Sequence, residues 1–404
     1  MSPALPVSSL DLLRELIAFP SVSLRPNLDL MARVQTLLAQ AGINSTLIHN
    51  PQDPTRTNLF ASVGPAERPG VLLSGHTDVV PVEGQPWQTP PFEATERDGR
   101  LYGRGSADMK GFVACAVQAM LRAAQMPLQR PLLLALSYDE EIGCVGVRHL
   151  LQALEQQAVT PPLFCVVGEP TLMQIGTGHK GKSAYRAMCC GQAGHSGLAP
   201  RFVNAIHTAS DLIGAMRDVQ ADLAAHGARE AGYAIPYSTI HAGTIHGGKA
   251  LNIVPSDCEV SFEIRNVAAD DPEHILKAIL ARTQARMRQA PIADPSRDAA
   301  LPPVIEQVNA YPGLQTPDDL PAVRLLASWL PAGTARTKVA FGTEGGLFQK
   351  TWADTPVVVC GPGSIEVAHK AEEHIELEQL EACDRLLGRL TDYLCQADPI
   401  QTLA

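Results

Sequence analysis

The stretch Pro131-Leu-Leu-Leu-Ala-Leu-Ser137 is apolar from end to end, long enough for one strand and too short for a capped helix. A strand with no polar face has no side to give to water. It must lie inside a sheet covered on both faces, the usual setting of a parallel strand flanked by helices. Two further runs, 71–74 and 163–167, have the same character. Each of the three ends in polar chemistry: Ser-Gly-His76-Thr-Asp78 after one, Asp139-Glu140-Glu141 after another, and Gly168-Glu169-Pro170 after the third. Open α/β sheets place their sites outside the carboxyl ends of such strands.

Between these runs the periodicity is helical. Ser8-Ser9-Leu10-Asp11 reads as a capping box opening a first helix, with Leu10, Leu13, Ile17 and Phe19 on or near its apolar stripe. A second helix is expected over 29–41, carried by Leu30, Val34, Leu37 and Leu38 and stopped by Gly42. Phe112, Val113, Ala116, Val117 and Met120 make one face of a third over 112–124, and a fourth ends near Leu154. Strands 46–48 and 58–63 precede the first buried run. Alternation of this kind indicates an α/β domain with a mostly parallel sheet flanked by helices.

After about residue 180 the rhythm changes. A strand over 183–190, a helix over 204–219, strands over 238–245 and 257–265, a helix over 271–289 and a strand over 304–309 follow in turn. That β-α-β-β-α-β order is the split-βαβ, ferredoxin-like pattern of a small α+β domain. From about 314 the first style resumes, with a helix over 318–330, strands near 338–340 and 356–360, and a last helix from Leu377. We therefore expect a discontinuous catalytic domain, 1–180 and 314–404, with an inserted domain over 181–313. A chain of 404 residues exceeds what one core usually serves.

Composition narrows the function classes. The net charge of −10 argues against a nucleic-acid partner, which normally meets a basic face. No apolar run has the length needed to cross a bilayer, so no membrane role is expected. The N-terminal MSPALPVSSLDLL lacks the basic n-region and cleavage site of a signal peptide. Nine cysteines, an odd number with no C-x-x-C spacing, fit neither a disulfide framework nor a zinc ribbon, which points to a cytoplasmic enzyme. Gly103-Arg104-Gly105 fails as a dinucleotide fingerprint, because Asp108 stands where the third glycine belongs.

Taken singly, each chemical residue has a structural reading. His76 and Asp78 could be a hydrogen-bonded loop pair, Asp108 a helix cap, Glu140 and Glu141 a solvated turn, Glu169 turn chemistry and His369 a surface histidine. In extended chain His76 and Asp78 point to one side, so the carboxylate could hold the imidazole while its other nitrogen faces outward. Together, two histidines and three carboxylates, with a spare glutamate and an orienting aspartate, suit a pair of borderline divalent cations such as zinc. The spare glutamate would be the general base.

The stretches SGHTDVVP, YGRGSADMKG, DEEIG, GEPT, GQAGHSG and AHKAEE span nearly the whole chain. In that order they resemble the di-zinc deacylase and peptidase family that includes acetylornithine deacetylase, succinyl-diaminopimelate desuccinylase, aminoacylases and glutamate carboxypeptidase. The resemblance implies two Zn2+, replaceable by Co2+, with His76 and Glu169 on one ion, Glu141 and His369 on the other, and Asp108 bridging. It implies that Asp78 orients His76 and that Glu140 is the base, which later returns the proton to the departing amine. It also implies a cis peptide after Asp108, and an inserted domain that acts as lid and homodimer interface. His195, from that domain, would help stabilise the oxyanion, and Asn252 and Arg265 would hold the substrate's carboxylate or reacting carbonyl. Thr343, Glu344 and Gly345 correspond to a substrate loop.

Within the family, the 75–112 and 168–181 stretches look closest to the acetylornithine deacetylases. The resemblance thus implies hydrolysis of a small N-acyl amino acid, N2-acetyl-L-ornithine, to L-ornithine and acetate, a step of arginine biosynthesis. Glu344, where desuccinylases more often carry serine, suits a substrate bearing an amine. Other N-acyl amino acid deacylations, a carboxypeptidase or dipeptidase activity, and a non-catalytic binding relative remain as alternatives.

Overall fold

The computed structural model describes residues 7–289 and 301–396. The first six residues of the leader reading and the tail beyond 396 lie outside them. The chain divides into two compact units, Met1–Gly178 with Leu314–Val339 and Thr343–Ala404, and His179–Gly313 with Ala340–Gly342.

The first unit is built on a nine-stranded sheet. Its centre is four mutually parallel neighbours, Leu132–Ser137, Val71–His76, Phe164–Pro170 and Val357–Gly361. Every residue of these four strands is apolar, small or site-forming, and every one is buried. The antiparallel strands Thr57–Val63 and Ser45–His49 extend one side. Helices Ser9–Ile17, Leu28–Gln40, Gly111–Ala123 and Leu377–Leu394 pack their apolar faces into the shared core. The first helix starts where expected, with the Ser8 hydroxyl accepting the Asp11 N–H. Its buried stripe is Leu12, Leu13, Leu16 and Ile17, and Leu10 and Phe19 pack partly buried against the same core, since side chains three and four apart share a face.

Several short elements were not anticipated. A strand over Ile175–His179 joins the sheet, and Thr95–Arg97, Arg100–Tyr102 and His374–Glu376 form a separate three-stranded sheet. A helix spans Gly345–Thr351, and the strand expected near 338–340 lies at Arg336–Lys338. Two- to five-residue strands carry too few alternations to announce themselves.

The second unit is a four-stranded antiparallel sheet in the order Thr239–Gly247, Asp257–Asn266, Gly181–Cys190, Val304–Tyr311. Burial alternates along the two middle strands, so each gives one face to helices Ala205–His226 and Pro272–Gln289. The same alternation buries Cys189 and exposes Cys190.

Candidate active site

Four adjacent parallel strands deliver their carboxyl ends to one place. His76 is the last residue of Val71–His76, and Asp139-Glu140-Glu141 follows Leu132–Ser137. Glu169 lies at the end of Phe164–Pro170, and the loop after Val357–Gly361 carries His369. Asp108 arrives from a kinked turn, Ser106–Lys110, whose backbone is non-helical at Asp108 and Met109 and which feeds helix Gly111–Ala123. That turn starts after Gly105 at φ +81, a left-handed conformation that glycine adopts at no steric cost. The peptide bond after Asp108 is cis, in line with the family resemblance.

Asp108 lies between the two histidines. One carboxylate oxygen is 3.1 Å from His76 Nε2 and the other is 3.2 Å from His369 Nε2. His369 Nε2 is also 3.0 Å from Glu141, and His76 Nε2 is 3.8 Å from Glu169. Donor atoms of His76, Asp108 and Glu141 all fall within 4.8 Å of one another, as do those of His76, Glu140 and Glu169.

So much like charge in one buried place shifts every ionisation. Burial, then the neighbouring Asp108 charge, pushes Glu141 up to about 7 despite the His369 hydrogen bond. Burial raises Glu140 to about 8; the His76 charge opposes this, while Glu141, Glu344 and Asp78 add to it. Glu169 is held well above the usual carboxylate range by burial and by Asp108. Hydrogen bonds to Asp108 and Glu141 lift His369 to about 10. Burial opposes charge on His76, but its bond to Asp108 and the surrounding carboxylates outweigh that and leave it well above 6.5. Asp108 moves the other way: burial would raise it, but two imidazole hydrogen bonds hold it low. A cluster of acids that must share protons at neutral pH is the electrostatic signature of a cation site. The clustered nitrogen and oxygen donors fit a divalent-cation site.

Asp78 differs from expectation in detail. The His76 Nδ1 faces the Asp78 backbone carbonyl at 2.9 Å, and the carboxylate is 3.6 Å away. The carboxylate instead accepts the backbone N–H groups of Glu140 at 3.0 Å and Glu141 at 3.3 Å, and the Ser23 hydroxyl at 2.7 Å. Residue 78 therefore orients the imidazole through its carbonyl and fixes the Glu140-Glu141 loop through its side chain. Glu140 Oε1 also receives the buried Cys144 thiol at 3.2 Å.

Thr343, Glu344 and Gly345 lead into helix Gly345–Thr351, with the Thr343 hydroxyl accepting the Gly345 N–H. Glu344 is buried, accepts the Ser74 hydroxyl at 3.0 Å and is raised by burial. The second unit holds the remaining candidates. His195 is exposed, and its Nδ1 accepts the Gly197 N–H, which leaves the proton of a neutral ring on Nε2. Asn252 lies beside it, its carbonyl accepting the Ser196 N–H. Arg265 is already engaged, with Glu263 at 2.9 Å and the Tyr311 hydroxyl at 3.0 Å, so a carboxylate ligand would have to share it.

Sequence reasoning missed the residues that hold the site from behind. Asp139 ties the loop down through the Leu24 N–H and Arg56. Lys110 is wholly buried, donating to the Leu16 and Phe19 carbonyls. Glu373 gathers several backbone donors. All three lie inside the stretches DEEIG, YGRGSADMKG and AHKAEE, but the partners that give them their roles are distant in the chain.

Comparison with known proteins follows the same outline. Residues 72–392 match the model of peptidase family M20/M25/M40. An acetylornithine deacetylase of Myxococcus xanthus is 33% identical over 95% of this chain and 96% of its own length. An M20 family metallo-carboxypeptidase from Sulfolobus solfataricus has a TM-score of 0.76 at 18% identity, over 96% of this chain and 99% of that one. A Bacillus subtilis protein described as a dinuclear metal-binding peptidase of the M20 family has a TM-score of 0.66 at 15% identity, over 95% and 96%. At such identities the last two speak for the fold alone.

Proposed function

Because the chain belongs to peptidase family M20/M25/M40, a family of metallo-hydrolases, we propose that it is a two-zinc amide hydrolase that converts N2-acetyl-L-ornithine and water to L-ornithine and acetate. One observation carries the metal chemistry: the buried Asp108 presents one oxygen toward each of two histidines, the disposition of a bridging ligand. His76 and Glu169 would hold one ion, and Glu141 and His369 the other. When bound, the ions would supply the Lewis acidity that polarises an amide carbonyl and acidifies a water molecule.

The chain's own groups do the rest. Glu140 lies within the donor cluster, within 4.8 Å of His76 and Glu169 donors, but is not needed in the expected ligand set, so it is the group to take a proton from water and return it to the leaving amine. Asp78 fixes the Glu140 and Glu141 backbones. His195, with a donor nitrogen turned away from Gly197, suits an oxyanion, and Asn252 and Arg265 suit the acyl amino acid.

Two things support the substrate. Relatives at 32–33% identity are named acetylornithine deacetylase, and the buried Glu344 can offer a charge to a distal ammonium. A substrate panel decides between readings: acetylornithine, neutral acetyl-amino acids, succinyl-amino acids and dipeptides, each with zinc and with cobalt. Acetylornithine should give the highest kcat/KM, and Glu344→Gln should reduce that preference over neutral acetyl-amino acids. An unchanged preference would remove Glu344 from substrate choice, and dipeptides as best substrates would overturn the deacetylase reading.

The nine free cysteines support a reducing, cytoplasmic setting. No helix among the described residues is long and apolar enough to cross a membrane. The strand Thr239–Gly247 is an edge of its sheet and largely exposed, which supports homodimer formation through the second unit.

A further inference from the structure

Glu373 is 1% exposed, yet it touches no expected ligand side chain. Its Oε2 accepts the Arg104 guanidinium at 2.7 Å and the Gly105 N–H at 2.9 Å. Its Oε1 accepts the N–H groups of Ala107 and Asp108, both at 3.0 Å. One carboxylate thus takes four donors from the turn that presents Asp108, including the amide of Asp108 itself. Residue 373 also stands four positions after His369, and its carbonyl accepts the Gly103 N–H. Directly beyond it, strand His374–Glu376 pairs antiparallel with Arg100–Tyr102. A second route closes the same gap: Gln85 donates to the His369 carbonyl at 3.0 Å and accepts from Arg104.

We propose that Glu373 is a positioning residue that locks the Asp108 turn and the His369 loop into one register, so that both ligands face the same ions. The inference rests on the two-metal reading of the site. A buried carboxylate is costly unless fully hydrogen-bonded, and here its four donors lie in the turn that bears Asp108 and in the two residues just before it. Arg104 neutralises the charge, and the backbone donors make the contact directional. Glutamine keeps the shape but offers an amide N–H toward two donors, so it cannot hold the turn. Aspartate keeps the charge but is too short to span both pairs of donors.

The test is zinc binding by Glu373→Gln and Glu373→Asp, set beside the unaltered protein, by competition with a chromophoric chelator. Circular dichroism of the metal-free proteins reports folding. The unaltered protein should bind two zinc ions; if it binds none, the two-metal reading fails and this inference with it. Both variants should melt cooperatively yet bind zinc about 10–100-fold more weakly, the usual cost of losing a group that supports a ligand. A folded variant that binds two ions with unaltered affinity would overturn the proposal. Should neither variant fold, it is overturned too, because Glu373 would then hold the fold rather than the ligands.

Discussion

Glu140 and Glu141 are neighbours in sequence with different tasks, and their surroundings separate them. Glu141 meets His369 at 3.0 Å, while Glu140 meets a thiol and a backbone network. Burial raises Glu140 to about 8, with nearby carboxylates adding to it, so cationic charge beside it is what makes it a base at neutral pH. Glu140→Ala is therefore expected to bind two zinc ions with little change in affinity, while kcat falls by roughly 10²–10⁴-fold, the usual worth of a placed base. Metal content of the purified variant and its initial rates check this. Lost metal would make Glu140 a ligand, and near-native kcat would remove it from the chemistry. At this scale the sequence discloses residue types at strand ends, because few structural needs place His76, Glu141 or Glu169 there. It does not disclose Asp139, Lys110 or Glu373, since a buried charge is recognisable only beside its partners, and those lie far away in the chain.

The elements that carry the ligands approach one another closely, and glycine makes this possible. A Cβ at Gly168 would lie 1.8 Å from the Phe112 ring, where the strand bearing Glu169 crosses the helix that follows Asp108. Neither partner can yield easily, for Phe112 is 1% exposed and the strand is hydrogen-bonded on both sides. Gly168→Ala is expected to cost about 1–3 kcal/mol or more in urea unfolding, as overpacking usually does. Phe112→Leu in the same chain should recover part of the loss. No loss in the single variant would mean that helix and strand are free to separate. Elements of this kind are legible in sequence because a strand buried on both faces or a long helix leaves a pattern of many residues. The strands Arg100–Tyr102 and His374–Glu376 leave none, although together they set the register of Asp108 and His369. The first helix shows the intermediate case: its start is written in Ser8, but the exact stripe is decided by what it packs against.

For the whole molecule, the return to α/β rhythm after an α+β interval is legible because helical periodicity and a buried strand, Val357–Gly361, reappear late in the chain. How the cluster of acids is tolerated is not legible, since it depends on charges brought together from five segments. Folding the chain without a cation forces Glu140, Glu141 and Glu169 to hold protons that the unfolded chain releases near 4.5. The two histidines likewise hold protons that the unfolded chain releases near 6.5, His369 up to about 10. For all five groups the folded state binds more protons than the unfolded state across these windows. Their stabilising contribution is present at low pH and is lost as pH rises from about 4.5 toward 10. Bound cations need the opposite protonation state, so their affinity climbs over the same range. Lys110, lowered to about 7 by burial, runs against this trend, but it is common to both forms and cancels when they are compared. The increase in melting temperature on adding zinc to chelator-treated protein should therefore grow from pH 6 to pH 8 at fixed ionic strength, with protons released on binding. Calorimetry in two buffers of different ionisation enthalpy counts those protons. A zinc increment that shrank over this interval, or binding without proton release, would show that the acids at the strand ends do not act as one cation site.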